Sequence, residues 1–191
     1  MGISEILLTS ENYVRSIINI DNNVESKFLL SSIREAQEIG LQGIIGTAML
    51  NKIKQLIGSG TIDSDENIAY KSLLRESQLY LAYKATEQLC LICNVKISNG
   101  GLQQTSDENL TVLNVNDTFT VQKHYSDKAD FFASRLQSYI LQNIADLPEI
   151  GKSKCSEIRA TLDSAASSSL WLGGERGKGR YWKNKIGYLY K

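Results

Sequence analysis

The 191-residue sequence has little of several residue types on which whole classes of function depend. It contains one proline, one histidine and three cysteines. An odd, small number of cysteines does not make a disulfide framework and indicates a reducing compartment. A single histidine leaves little room for a histidine-based metal site or proton relay. No uninterrupted apolar run approaches the roughly 18 residues of a membrane-spanning helix. No basic stretch near Met1 leads into an apolar one, so we also expect no secretory signal.

The charge of the chain is balanced overall but unevenly distributed. The sequence has 21 Lys and Arg against 21 Asp and Glu. Residues 171–191 carry a net charge of +5, which leaves −5 for residues 1–170. The same last 21 residues hold both tryptophans, three tyrosines and five of the 14 glycines. This shift in composition predicts a boundary near Ser167–Leu170.

Hydrophobic periodicity predicts a mainly α protein. We expect a bundle of about four to five helices, with a small β-hairpin and an extended C-terminal arm. The predicted parts are an N-terminal extension (1–23), a helical body (24–168) and the arm (169–191). Helices are predicted over residues 24–39, 47–57, 67–92 and 128–144, with a weaker one over 152–165. Apolar residues expected on their buried faces include Phe28, Leu29, Ile33, Ile39, Ile68, Leu73, Phe131, Phe132, Leu136 and Ile144.

The hairpin is predicted from one alternating segment and one turn signal. Residues 95–98 alternate apolar and polar side chains, and Asn-Gly-Gly follows at 99–101. The apolar run at 110–115 is the expected partner strand. After it, Ser126 and Asp127 are expected to cap the helix at 128, with His124 in the preceding loop.

The Cys90-Leu91-Ile92-Cys93 sequence matches the spacing of a C-x-x-C motif. A zinc site needs two more ligands, and only Cys155 and His124 remain. A redox pair needs its first cysteine at a helix N-terminus, whereas this pair lies at the end of a long predicted helix. We therefore interpret both cysteines as small buried apolar residues.

Three other features resemble functional motifs only superficially. Asp63, Asp65 and Asn67 match the first ligands of a calcium loop, but the glycine and the final glutamate of that loop are missing, which favours helix capping. The glycine-rich residues 173–179 lack the spacing and the Ser or Thr of a phosphate-binding loop. His124 has no nucleophile or orienting carboxylate at a telling spacing, so we interpret it as a surface or capping histidine. We find no catalytic, cofactor-binding or metal-binding residue and predict that the protein is not an enzyme.

The C-terminal arm is the most informative feature of the sequence. Its glycines disfavour a helix, and its few aliphatic residues cannot form a core. Three interpretations remain open: an ordinary disordered tail, a nucleic-acid-binding segment in which cations contact phosphates and rings stack on bases, and an arm that docks into another protein. Aromatic residues are good interface anchors, which slightly favours docking. The expected binding residues are Trp171, Arg176, Lys178, Arg180, Tyr181, Trp182, Lys183, Lys185, Tyr188 and Tyr190.

A family resemblance bears on this choice. The segment 33–50, IREAQEIGLQGIIGTAML, resembles the first helix and turn of head-to-tail connector (adaptor) proteins of tailed bacteriophages. In that family an Ala-Gln pair inside a helix is followed by apolar residues, a glycine and a leucine-containing helix. The long helix from Asn67, the extended residues 95–101 and the helix containing Tyr139–Asn143 resemble the elements that follow. The likeness covers roughly residues 24–150 and consists of an order of elements with loose motifs.

The resemblance implies a virion structural protein without cofactors. Such adaptors form a ring, usually of twelve subunits, beneath the portal vertex in the neck between capsid and tail. Double-stranded DNA passes through the ring without sequence-specific binding, and a C-terminal arm commonly fixes the ring to the portal protein. The implied partners are therefore copies of this chain, the portal protein, and other neck or tail proteins, after synthesis in the host cytoplasm. The chain departs from the family in its longer N-terminus and hairpin region.

Overall fold

A computed structural model describes residues 5–98, 101–104, 115–152 and 157–161 of the chain. The predicted arm, residues 169–191, lies outside these described residues, as does the glycine-rich segment 173–179 within it. The described part is mainly helical, in agreement with the periodicity. Its helices are α1 (Glu11–Ile17), α2 (Ser26–Glu35), α3 (Gln42–Ile45), α4 (Thr47–Gly58), α5 (Ile68–Asn94) and α6 (Val115–Gln142).

The two long helices, α5 and α6, form an antiparallel pair that organises the fold. Near one end of the pair, the Tyr139 hydroxyl donates a 3.0 Å hydrogen bond to the Ala69 carbonyl. Farther along, Arg135 Nη2 lies 2.7 Å from Glu76 Oε1. On its other side α5 packs against α2 and the segment that follows α2. Because α5 is covered on two sides, small and apolar residues occur around much of its circumference, including the fully buried Leu81, Ala82 and Ala85.

A π-helical segment, Ala36–Leu41, joins α2 to α3 without a break in helical backbone. π-Helical turns are rare and commonly occur where function or packing constrains the backbone. Here the constraint is a close approach by α5, because a Cβ atom added to Gly40 would collide with the hydroxyl of Tyr80. Gly40 therefore permits the contact between this segment and α5.

The helical path ends at Gly46, where α4 begins in a new direction. Gly46 has φ +80°, a value that residues with a Cβ rarely adopt. The glycine spacing predicts a bend or break among Gly40, Gly43 and Gly46, and the break falls at the last of the three. The corner between α3 and α4 contacts the last described residues of the chain, since Thr47 N donates a 2.9 Å hydrogen bond to the Ile158 carbonyl.

The predicted hairpin is wrong in its second strand. The strand β1 (Val95–Ser98) pairs antiparallel with β2 (Gly101–Gln104), not with residues 110–115. Only two residues separate the two strands along the chain, so the return strand comes earlier than predicted. The predicted partner segment lies outside the described residues up to position 114, and Val115 already begins α6.

Several predicted boundaries and buried faces also need correction. Helix α6 begins at Val115 rather than near residue 128, so His124 lies within a helix and not in a loop. Residues 157–160, inside the weak helix predicted over 152–165, are not helical. Ile39, Ile68, Phe131 and Ile144 are exposed by 71%, 61%, 64% and 53%, although the periodicity places them on buried faces. None of the described helices combines the length and apolar composition that a membrane crossing demands.

Candidate functional site

The residues predicted from the sequence as the binding site, all between Trp171 and Tyr190, lie outside the described residues. The structure therefore neither brings them together nor separates them. What it does provide is the surface of the body to which such an arm, or another partner, could bind. Four features of the described part of the chain carry distinctive chemistry.

The first feature is the Ala-Gln pair of the resemblance segment, which lies in the π-helical segment and holds the N-terminal residues. Gln37 is completely buried. Its Oε1 accepts a 2.8 Å hydrogen bond from Leu8 N, and its Nε2 donates a 3.2 Å bond to the Ile6 carbonyl. From α5, Gln78 Nε2 donates a 2.8 Å bond to the Leu8 carbonyl. Side-chain amides thus satisfy the backbone hydrogen-bonding groups of the N-terminal segment, and Gln37 has a structural role in holding that segment.

The neighbouring carboxylate of Glu38 belongs to the same network. Gln37 Nε2 lies 3.0 Å and Lys54 Nζ 2.8 Å from Glu38 Oε1. Burial alone would raise the pKa of Glu38, but the hydrogen bonds from Lys54 and Gln37 and the Lys54 charge outweigh it and lower the pKa. The carboxylate therefore stays ionised at neutral pH and joins the π-helical segment to α4.

The second feature is a partly exposed cluster of rings and cations across α5 and α6, which we call the aromatic face. Tyr83 and Phe132 stack with ring centroids 5.0 Å apart, and Phe131 meets Phe132 edge-on at 5.4 Å. Lys128 Nζ lies 5.6 Å from the Tyr83 ring centroid, and the Arg135 guanidinium lies 6.0 Å from that of Phe132. These distances are within the range of cation–π attraction.

The aromatic face combines one exposed ring with charges of both signs. Phe131 is 64% exposed and is a type of side chain that is enriched at protein interfaces. The cations of this face alternate with the exposed carboxylates of Asp127 and Asp130, and Lys123 is paired with Asp127 at 3.0 Å. Such a mixed surface lacks the positive field that attracts a phosphate backbone.

The third feature is an acidic cavity of about 490 Å³, between the start of α5 and the end of α6. Its lining includes Asp65, Glu66, Ile68, Tyr70, Tyr139 and Asp146. None of the three carboxylates forms an ion pair within the part of the chain that the structure describes. At the edge of the cavity, the Tyr70 hydroxyl donates a 2.6 Å hydrogen bond to Glu149 Oε2. Burial, that hydrogen bond and the Glu149 charge raise the pKa of Tyr70. The cavity thus combines negative charge with aromatic and aliphatic surface.

The region that resembles the start of a calcium loop adjoins this cavity. Asp65–Asn67 forms a short 3₁₀ turn before α5, and Asp63 pairs with Lys71 at 2.8 Å. The sequence predicts that these polar residues cap the helix. Instead, Asn67 Nδ2 donates 2.9 Å hydrogen bonds to the Thr61 carbonyl and to Ser64 Oγ, which stabilises the loop. Within the described ranges, no group of three or more potential metal ligands is found.

The fourth feature is a mostly apolar cavity of about 300 Å³ lined in part by both C-x-x-C cysteines. Cys90 is half-buried and Cys93 is exposed, so the prediction that both are buried is wrong for Cys93. Burial raises the pKa of both thiols, and the proximity of Cys93 adds to the effect on the pKa of Cys90. A raised pKa keeps a thiol protonated, which disfavours nucleophilic and metal-binding chemistry at this pair. His124 is exposed, as predicted for a surface histidine, and its ring lies edge-on to Tyr125 at 5.7 Å.

The aromatic face and the acidic cavity are not predicted by the sequence reasoning. Each is assembled from residues in or near α5 and α6 that lie about 50 to 80 positions apart in the chain, and periodicity does not report such pairings. The sequence contains one signal for the aromatic face, namely the angular position of Phe131 around the helix axis. On a helix with 100° per residue, Phe131 is turned by more than a quarter circle from Phe132 and from the buried Leu136 and Ile140.

Comparison with known proteins adds one finding. A family model described as a family of unknown function, DUF6712, matches residues 41–160, which is more than half of the chain. The matched range begins in the π-helical segment and extends through α6 to the residues that contact the α3–α4 corner. No curated protein and no solved structure matches the chain.

Proposed function

The chain belongs to the DUF6712 family, and we propose that this member is a virion structural protein, a head-to-tail connector of a tailed bacteriophage. In this proposal twelve copies form a ring beneath the portal vertex, and the C-terminal arm anchors the ring to the portal protein. The observation that carries the proposal is the resemblance of residues 24–150 to the adaptor family, together with the basic and aromatic composition of residues 171–191. The mainly helical body with two long antiparallel helices is compatible with it.

The surface of the body supports an assembled state. Large exposed apolar side chains occur on α6 and also on the other side of α5, along α2 and the π-helical segment. They include Phe119, Phe131 and Leu141 on α6, and Leu30 and Ile39 on the other side. Identical subunits in a ring use two different faces, each of which meets the other face of a neighbour. Exposed apolar side chains on both sides of α5 are compatible with that requirement, because a neighbouring subunit would remove them from water.

The charge distribution supports the proposed roles of body and arm. Residues 1–170 carry a net charge of −5, so their overall charge repels DNA and favours its free passage through a ring. Residues 171–191 carry +5 and both tryptophans. A positive arm is steered toward an acidic groove on a portal, where the tryptophans supply buried anchors. Twelve such arms add avidity, because each docks at high effective concentration after the first.

The test is electron microscopy of the purified protein, alone and mixed with the portal protein of the same virus. We expect rings that bind the portal, and we expect deletion of residues 171–191 to abolish portal binding while the helical circular dichroism remains. A matched control replaces Lys27, Lys123 and Lys152 of the body by Gln, which removes positive charge but leaves the arm intact. Portal binding by the truncated chain would overturn the role of the arm. A protein that stays monomeric with the portal would overturn the connector proposal.

The alternative function is nucleic-acid binding through the same arm. It is favoured by the six cations and five large aromatic residues of residues 171–191. This function requires binding of DNA or RNA that weakens steeply with salt, because each neutralised phosphate releases counterions. Absence of binding at low salt, or binding that does not respond to salt, would eliminate it.

A further inference from the structure

The acidic cavity and the end of the chain have complementary chemistry. The cavity presents the carboxylates of Asp65, Glu66 and Asp146 without an ion pair among the described residues. Tyr70, Tyr139 and Ile68 also line the cavity, and Ile68 is 61% exposed although it is a large apolar residue. Residues 171–191 supply the counterpart, a net charge of +5 with two tryptophans and three tyrosines.

We propose that the acidic cavity binds residues 171–191 of the same chain, as a resting position of the arm. Cations of the arm would face the three carboxylates, and an aromatic ring of the arm would cover Ile68 and pack beside Tyr70 and Tyr139. A cavity of about 490 Å³ holds one large aromatic side chain with part of its backbone. The interaction therefore combines burial of an apolar ring with attraction between opposite charges, and both contribute to docking.

The described backbone places the arm within reach of the cavity. Glu149 lies at the cavity, because it accepts the hydrogen bond from Tyr70. Nine residues later in the chain, the Ile158 carbonyl accepts a hydrogen bond from Thr47 N at the α3–α4 corner. Thr161 lies at the same corner, since its Oγ1 donates a 2.8 Å bond to the Gly43 carbonyl. The chain thus covers the distance from cavity to corner in nine residues, and the ten residues from Thr161 to Trp171 suffice for the return.

Because the connection is this short, the cavity should bind the arm of its own chain in preference to the arm of another copy. A short connection gives an effective concentration on the order of millimolar, which exceeds the concentration of free copies in an ordinary solution. The inference does not depend on the connector proposal. If the arm also binds a portal, the portal competes with the cavity for it, and the cavity shields the aromatic residues until then.

The test uses the full chain and its own fluorescence. Both tryptophans of the protein, Trp171 and Trp182, lie in the arm, so tryptophan emission reports on the arm alone. We expect the wild-type emission to be blue-shifted and protected from acrylamide quenching, independently of protein concentration. The cavity variant is the triple change Asp65→Asn, Glu66→Gln and Asp146→Asn. Three exposed ion pairs of ordinary strength together change a docking equilibrium by about tenfold, so the tryptophans of this variant should be quenched more strongly than those of the wild-type chain.

The matched control removes the same number of negative charges elsewhere: Glu25→Gln, Asp127→Asn and Asp130→Asn. These carboxylates are exposed and do not line the cavity, so the control should keep the wild-type emission. High salt applied to the wild-type chain repeats the test without substitution, because the screening length falls to about 3 Å at 1 M. Fully quenchable tryptophans in the wild-type chain, or equal effects of the two triple variants, would overturn the proposal. Protection that appears only as protein concentration rises would also overturn it, in favour of docking between copies.

Discussion

The sharpest test of how this fold is held together is the replacement of Gln37 by methionine. Methionine is similar in volume, so Gln37→Met removes the hydrogen bonds of the amide without opening a large cavity. The Leu8 N–H, which is buried, loses its acceptor, and the half-buried Ile6 carbonyl loses a donor. An unsatisfied buried donor costs about 1–3 kcal/mol, and a partly exposed bond about 1 kcal/mol.

We therefore expect Gln37→Met to lower the free energy of unfolding by about 2–4 kcal/mol. The matched variant is Gln78→Met, because Gln78 is also an amide that bonds to residue 8, but through one partly buried contact. It should cost only about 1 kcal/mol. Urea unfolding followed by far-UV circular dichroism measures both values, provided that the slope against urea stays constant.

Amide hydrogen exchange supplies a second measurement at the site itself. In Gln37→Met, the Leu8 amide should exchange faster than in the wild-type chain, while amides in the middle of α5 lose protection only in proportion to global stability. A Gln37→Met variant no less stable than Gln78→Met, with Leu8 still protected, would refute the claim that the buried amide holds the N-terminal segment.

Two further predictions concern the same region. Gly40→Ala should destabilise the protein by about 1–3 kcal/mol through collision with the Tyr80 hydroxyl, whereas Gly43→Ala, with open space around its new Cβ, should stabilise it by about 0.5–1 kcal/mol. Tyr80→Phe removes the colliding hydroxyl, so Gly40→Ala should destabilise a Tyr80→Phe protein less than it destabilises the wild type. An equal loss of stability in both proteins, measured by chemical denaturation, would contradict this explanation. The pKa of Glu38 is lowered in the fold, so its stabilising effect is present above its ordinary value of 4.5 and is lost as the pH falls through the lowered value. Stability measured from about pH 6 to about pH 3 should therefore decline less steeply for Glu38→Gln than for wild type or for the exposed-pair control Glu25→Gln, and equal slopes would contradict the assignment.

Much of the helical content could be predicted because long amphipathic segments carry their own signal. The expected helix over 67–92 corresponds closely to α5, and the one over 47–57 to α4. The predicted boundaries fail where two local signals compete. Ser126 and Asp127 are good capping residues, but α6 continues through them, since helical hydrogen bonds and packing against α5 outweigh a local capping preference. The return strand is misplaced because the apolar content at 110–115 gives a stronger strand signal than residues 101–104, although residues 101–104 follow the first strand after only two positions.

The candidate binding surfaces can likewise be predicted only in part from the sequence. The composition of residues 171–191 is enough to predict a binding segment, whereas the acidic cavity and the aromatic face have no counterpart in the sequence pattern. Asp65 and Asp146 are 81 positions apart, and Tyr83 and Phe132 are 49 apart, so no periodicity in the sequence relates them.

The sequence by itself determined the helical class of the body, the charge separation between body and arm, and the failure of each familiar motif, since these depend on composition and on spacing along the chain. Only the tertiary structure decided that Gln37 holds the N-terminal segment, that Gly40 admits Tyr80, and that three carboxylates without an ion pair among the described residues surround one cavity. The physical reason is that hydrogen bonding, close packing and electrostatic attraction act over a few ångströms in space, and the antiparallel pairing of α5 with α6 sets which distant residues come within that range.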